Sequence, residues 1–254
     1  MQPRRLTPRP AHVYLFGTCL VDLFVPQAGV DAVRLLEREG LVVHFPPAQS
    51  CCGQPAYTSG NPDEARAVAR AQLALFEHDW PIVVPSGSCA GMMREHWPKL
   101  FDDEPATQAR ARAVGERVHE LAQFLVEVLH VDYSQADASP VTVGLHTSCS
   151  ARREMGTRAH GVALLAALPG VSLETHANES ECCGFGGVFS LKHADISGAM
   201  VRDKVAALEG VAPCFVTADC GCLLNITHAA QHRQRALAGE HIATFIMRRL
   251  EAGA

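Results

Sequence analysis

A chain of 254 residues, 48% of them hydrophobic, carries enough apolar material for a packed core and is too apolar to be disordered. Its net charge of −5 comes without a Lys/Arg-rich stripe, which argues against nucleic-acid binding, and no apolar run reaches membrane-spanning length. Ten cysteines in a chain with helical periodicity point to metal or redox chemistry in a reducing cytoplasm rather than to a secreted disulfide scaffold.

Arg4, Arg5 and Arg9 precede the apolar stretch 13–16 and loosely imitate a secretory leader. The run is short, Asp22 interrupts it, no small-x-small cleavage site follows, and Thr18 before Cys19 does not suit a lipoprotein signal. The stretch therefore reads as a buried strand entering a loop at Cys19. A helix with Val33, Leu35 and Leu36 follows, then a strand at 41–43, then the motif Cys51-Cys52-Gly53. A long helix is expected over 65–77 and a strand from Ile82 to Val84, ending in Pro85-Ser86-Gly87-Ser88-Cys89. An extra helical insert spans 105–117, and an amphipathic helix around 121–125 closes the first unit, 1–132. The polar stretch 133–140 is the candidate linker.

The second unit, 141–254, repeats this order. A strand at 141–145 enters a loop at Cys149, and a helix with Val162, Leu164 and Leu165 leads to a strand at 171–173. Cys182-Cys183-Gly184 comes next, then a helix over 196–209, a strand running towards Cys220 and Cys222, and a closing helix at 242–246. The two Cys-Cys-Gly motifs are offset by 131 residues; 31 residues separate Cys19 from Cys51, and 32 separate Cys149 from Cys182. Each half reads β–α–β–α–β–α. The expected fold class is α/β: two pseudo-symmetric repeats, each a small, mainly parallel sheet flanked by helices, with cysteine loops at the strand ends.

Each half thus offers a set of cysteines able to hold an iron–sulfur cluster, which takes four thiolates. The first set is Cys19, Cys51, Cys52 and Cys89. The second is Cys149, Cys182, Cys183 and one or both of Cys220 and Cys222. Adjacent cysteines point apart, which suits different irons of one cluster better than a single zinc, whose ligands usually stand two to four residues apart. Gly53 and Gly184 let the backbone approach a cluster and aim amide N–H groups at sulfur. Zinc in one or both halves, a vicinal disulfide and buried inert thiols are the competing readings.

Gly184-Phe185-Gly186-Gly187 lacks nucleotide-loop spacing and reads as a turn around the metal, with Phe185 as its shield from water. His146, three residues before Cys149, can touch a cluster, but an ordinary strand-end histidine is the favoured reading. Cys214 reads as a core thiol, Glu179 and Glu181 as solvent-facing, and Arg152 and Arg153 as surface charge. No paired carboxylates or Ser/His/Asp set supports hydrolase chemistry.

The two C-x31–32-C-C-G-x35–37-C arrays resemble the duplicated cysteine-rich, or CCG, domain of the heterodisulfide reductase B subunit, the glycolate oxidase iron–sulfur subunit and lactate-utilisation proteins. The likeness also rests on Cys51-Cys52-Gly53-Gln54-Pro55-Ala56, Pro85-Ser86-Gly87-Ser88-Cys89, Cys182-Cys183-Gly184-Phe185-Gly186-Gly187 and Cys222-Leu223-Leu224-Asn225-Ile226. It implies two 4Fe-4S clusters, with zinc possible in one half, and makes Cys222 the fourth ligand of the second set. It further implies electron transfer during oxidation of L-lactate to pyruvate, with a ferredoxin-type iron–sulfur subunit and a third protein as partners. A heterodisulfide reductase-like thiol/disulfide chemistry and a zinc-holding scaffold are the alternatives. The family's fullest arrays end in C-x-x-C; here Ser86 and Asp219 stand at the first of those positions, which leaves an ordinary cubane and a non-cubane cluster as alternatives.

Overall fold

The computed structural model describes residues 9–253; Arg4 and Arg5, weighed above as part of a leader, lie outside them. Two four-stranded sheets carry the same topology. In the first, β1 (His12–Leu15), β2 (Val42–His44), β3 (Ile82–Val84) and β4 (Val118–Glu120) lie in the order β2-β1-β3-β4. In the second, β5 (Val141–His146), β6 (Val171–Glu174), β7 (Cys214–Thr217) and β8 (Ala238–His241) lie in the order β6-β5-β7-β8. All pairings are parallel.

The fourth strand of each half is absent from the sequence-based pattern of three. Val118-His119-Glu120 and Ala238-Gly239-Glu240-His241 are short and polar, so they carry no β signal of their own. They are strands because β3 and β7 offer open edges to pair with. The helix expected at 65–77 is Pro62–Leu73, that at 196–209 is Ala194–Glu209, and the insert at 105–117 is Pro105–Gly115. Residues 121–125 open as the helix Leu121–Gln123 and continue as the π-helical turn Phe124–Val128.

Strand alternation divides the core. Val13 and Leu15 of β1, Val83 of β3, Val143 and Leu145 of β5, and Val216 of β7 all face one shared core, together with Phe124, Phe245, Ile246 and Leu250. The opposite faces of β1 and β3 bury Tyr14, Phe16, Ile82 and Val84 with Trp97 and Phe101. Phe215 of β7 packs with Val205, Leu208 and Ile226 on the far side of the second sheet. The shared core holds the halves together and turns the carboxyl ends of their sheets to the same side. Close approach is required there: a Cβ on Gly87 would lie 2.3 Å from the Ala151 Cβ of the other half. Among the described residues, no helix is long and apolar enough to cross a membrane.

Candidate metal centre

The loops at the carboxyl ends of both sheets converge on one cavity of about 500 Å³. Nine of the ten cysteines line it: Cys19, Cys51, Cys52, Cys89, Cys149, Cys182, Cys183, Cys220 and Cys222. The sequence assigns one set to each repeat; the structure brings both sets to the same cavity. Cys214 stays apart, in β7, with its thiol 3.5 Å from the Thr142 carbonyl.

Local contacts hold the loops. The Gln49 amide clamps the chain before Cys19, accepting from Gly17 N at 3.0 Å and donating to the Leu15 carbonyl at 2.8 Å. Thr18, at the unusual φ of 59°, caps the short helix Cys19–Phe24. Each vicinal pair is pinned through the carbonyl of its second cysteine. Trp97 Nε1 donates to Cys52 O at 2.8 Å, and Asn225 Nδ2 donates to Cys183 O at 2.9 Å. Gly53 and Gly184 adopt φ of 87° and 85°, and each amide N–H donates at 3.4 Å to the first thiol of its pair, Cys51 or Cys182.

The thiols form matching chains. Cys19 lies 3.6 Å from Cys51, and Cys183 lies 3.2 Å from Cys222. Hydrogen bonds from Cys19 and then Cys52, helped by the backbone N–H groups of Gly53 and Cys52, lower the Cys51 pKa to about 3 against the opposing effect of burial. Cys182 is lowered to about 2 in the same way, chiefly by Cys149 and then Cys183. The donors move up: Cys19, Cys52, Cys149 and Cys183 are all raised by giving those hydrogen bonds and by burial. Cys222 accepts from Cys183, which lowers it, yet burial and Asp219 leave it raised overall. In each set the first thiol of the vicinal pair is thus the one whose pKa is lowered, and metal binding would release protons from the thiols.

Ser86 and Asp219 meet each other rather than standing apart in the two halves. Ser86 Oγ donates to Asp219 Oδ1 at 3.0 Å, and Ser88 N donates to the same oxygen at 2.9 Å. His241 of β8 adds a second link, its Nε2 lying 3.1 Å from both the Pro85 and Ala218 carbonyls.

Several polar residues differ from their sequence reading. Glu179 is not solvent-facing: Arg152 and Arg158 bind it at 3.1 and 2.5 Å. Arg152 is thereby engaged, whereas Arg153 lines the cavity beside Glu154. Glu181 is exposed. Cys220 is buried against Val21 and Ala28, and burial raises its pKa. Phe185 and Gly186 line the cavity, and Phe185 packs against Gly221. His146 is fully buried, and one of its ring nitrogens lies with the Cys183 and Cys222 sulfurs inside a sphere of mutual distances below 4.8 Å. Burial, then the positive Lys204, push its pKa down to about 3, so the ring is neutral.

Lys204 is a residue that sequence reasoning missed. It is buried, which pushes its pKa down, and it donates to the Asn178 carbonyl. Its signal was its register: Val201, Lys204, Val205 and Leu208 share the i, i+3, i+4, i+7 face of their helix.

These sites define a duplicated cysteine-rich protein, and the family model described as "Cysteine-rich domain" (CCG) matches residues 13–94 and again 143–227. Lactate utilization protein A of Anoxybacillus flavithermus is 42% identical over 94% of this chain and 100% of its own length. The proteins of that name from a Geobacillus species and from Bacillus velezensis are 41% and 42% identical over 91% of this chain and 97% of theirs. The chain belongs to this family, the lactate utilization protein A family of CCG proteins. A crystal structure of a hypothetical protein from Helicobacter pylori shares the fold with a TM-score of 0.62 at 12% identity; it matches 95% of this chain, which spans about half (49%) of that longer one.

Proposed function

We propose that this chain is an iron–sulfur electron-transfer subunit of a cytoplasmic system that oxidises L-lactate to pyruvate. The observation that carries the reading is the pair of matched four-cysteine sets on one cavity, Cys19, Cys51, Cys52 and Cys89 facing Cys149, Cys182, Cys183 and Cys222. The donor chemistry fits two 4Fe-4S clusters: all eight cysteines are free of disulfides, and in each set the pKa of one of them is lowered. Gly53 and Gly184 would present N–H groups to sulfur, Gly186 would let the loop turn, and Phe185 would limit water access. Such clusters supply one-electron transfer when bound. The names of the relatives supply lactate as the substrate of the wider system. A ferredoxin-type iron–sulfur subunit and a third protein are the proposed partners.

A second reading also has an observation in its favour. Both sets face one cavity, and Arg153 lies in its wall, as would suit cleavage of an anionic disulfide to two thiols with two electrons and two protons.

Iron, zinc and acid-labile sulfide on anaerobically purified protein, with EPR of the reduced and oxidised states, test the proposal. About eight iron and eight sulfide per chain are expected from two clusters of four. Zinc without sulfide overturns electron transfer and leaves a scaffold. Consumption of a disulfide by the isolated chain, with reduced viologen as electron donor, selects the second reading. Loss of lactate-dependent growth on deletion ties the chain to lactate.

A further inference from the structure

We propose that His146 is an iron ligand of the second site, taking a coordination place otherwise open to one of its four thiolates and giving that half an imidazole nitrogen donor that the first half lacks. The inference rests on the reading that the second cysteine set holds iron.

Leu15 pairs with Val83, and Leu145 pairs with Val216, so the residues that follow them, Phe16 and His146, occupy equivalent positions in the two halves. Both are fully buried. Phe16 is satisfied by its apolar core. His146 carries two polar nitrogens into the same kind of place, and neither has a hydrogen-bond partner. Burying such groups unpaired is unfavourable. A histidine in a phenylalanine's position therefore needs a partner of another kind.

The surroundings supply two kinds of partner. One nitrogen is grouped with the Cys183 and Cys222 sulfurs, both in the second set, within 4.8 Å. The ring also lines a small internal cavity of about 20 Å³ with Glu120, Thr147, Thr157 and Asp219. Of these residues, Glu120 and Asp219 each have a buried carboxyl oxygen, Oε1 and Oδ2, that likewise lacks a partner. A space of that size admits one water. A metal-bound histidine usually donates its other N–H to a carboxylate or a water. One arrangement thus answers for all four orphaned atoms: one imidazole nitrogen on iron, and the other N–H directed towards the two carboxylates, directly or through a water. Glu120 comes from the first half, so the second site would be supported across the domain interface.

The test is pulsed EPR of the reduced, anaerobically purified full chain, grown with ordinary or ¹⁵N-labelled histidine, with iron and sulfide assayed on the same sample. The expected result is a nitrogen coupling as strong as that of iron-bound imidazole in a reference protein, changed by the label. In His146→Phe, which copies the first half, that coupling disappears and one of two midpoint potentials moves while the other stays. Iron and sulfide present with only weak nitrogen coupling overturns the ligand role of His146 and leaves the electron-transfer reading standing. Absence of iron overturns both. The unaltered protein decides the question, so the folding of the variant does not limit the test.

Discussion

Replacing Glu120 by Gln should make the protein more stable, and increasingly so as the pH rises. Glu120 ends β4, is fully buried, and has its pKa raised to about 7 from an ordinary 4.5. Burial is the main cause; the hydrogen bonds from the Ala122 and Gln123 backbone oppose it, and the charge of Asp219 adds to it. The folded state holds this proton more tightly than the unfolded chain does. Its contribution to stability is complete below about pH 4.5 and is lost as the pH rises through 7. The difference between the two values is worth about 3 kcal/mol in full, of which about 2 kcal/mol falls between about pH 5.5 and pH 8. The side-chain carbonyl of the variant can still accept from Gln123 N, now 3.1 Å from the Glu120 carboxylate, so the helix cap survives. Asp219 and His146, which share the small cavity, are unchanged in the variant. Anaerobic urea titrations of both proteins in the same metal state should give a stability difference that grows by about 2 kcal/mol across that range. A difference that stays flat with pH refutes an ionisable, buried Glu120.

Gly184→Ala should cost about 1–3 kcal/mol and reduce metal content in the second half, because φ is positive and the new Cβ would lie 2.7 Å from the Ser197 carbonyl oxygen. Gly53→Ala, with 3.2 Å to the Ala65 carbonyl oxygen, should show a smaller loss in urea titration and in iron per chain. Asp219→Ala removes both hydrogen bonds to Ser86 and Ser88 and should destabilise by about 1–3 kcal/mol, with Ser86→Ala costing less in the same assay. In the metal-free chain at neutral pH, iodoacetamide should label Cys51 and Cys182 ahead of their neighbours Cys52 and Cys183, as read by peptide mass spectrometry; labelling in the reverse order contradicts the thiolate assignment.

The repeat, the α/β class and the placement of the cysteines after strands were legible because they depend on local pattern. Val13 to Phe16, the spacing of Cys51 and Cys182, and the long helices after each pair all announce themselves within short windows. The fourth strands did not, since His119, Gly239 and Glu240 become strand residues only by pairing with β3 and β7. The shared cavity was also hidden. It follows from how the two sheets press Leu15 and Leu145 into one core, and no spacing within either half encodes that.

The interface between the halves explains why equivalent positions have diverged. Ser86 and Asp219 are equivalent in the repeat and touch each other, so they lie close to the pseudo-two-fold axis. Identical residues at such a place meet their own kind across the axis. Two aspartates there would repel, whereas a serine opposite an aspartate donates to it. The same logic extends outward. Glu120 and His241 end equivalent strands, and His241 is fully satisfied by the Pro85 and Ala218 carbonyls and Ala243 N, while Glu120 keeps one orphaned oxygen beside His146. The divergent pair Ser86 and Asp219, and His241 of the pair Glu120 and His241, make contacts between the halves. Because His146, Asp219 and Lys204 all belong to the second half, the two cysteine sets face different fields across one cavity, and centres held there would differ in potential.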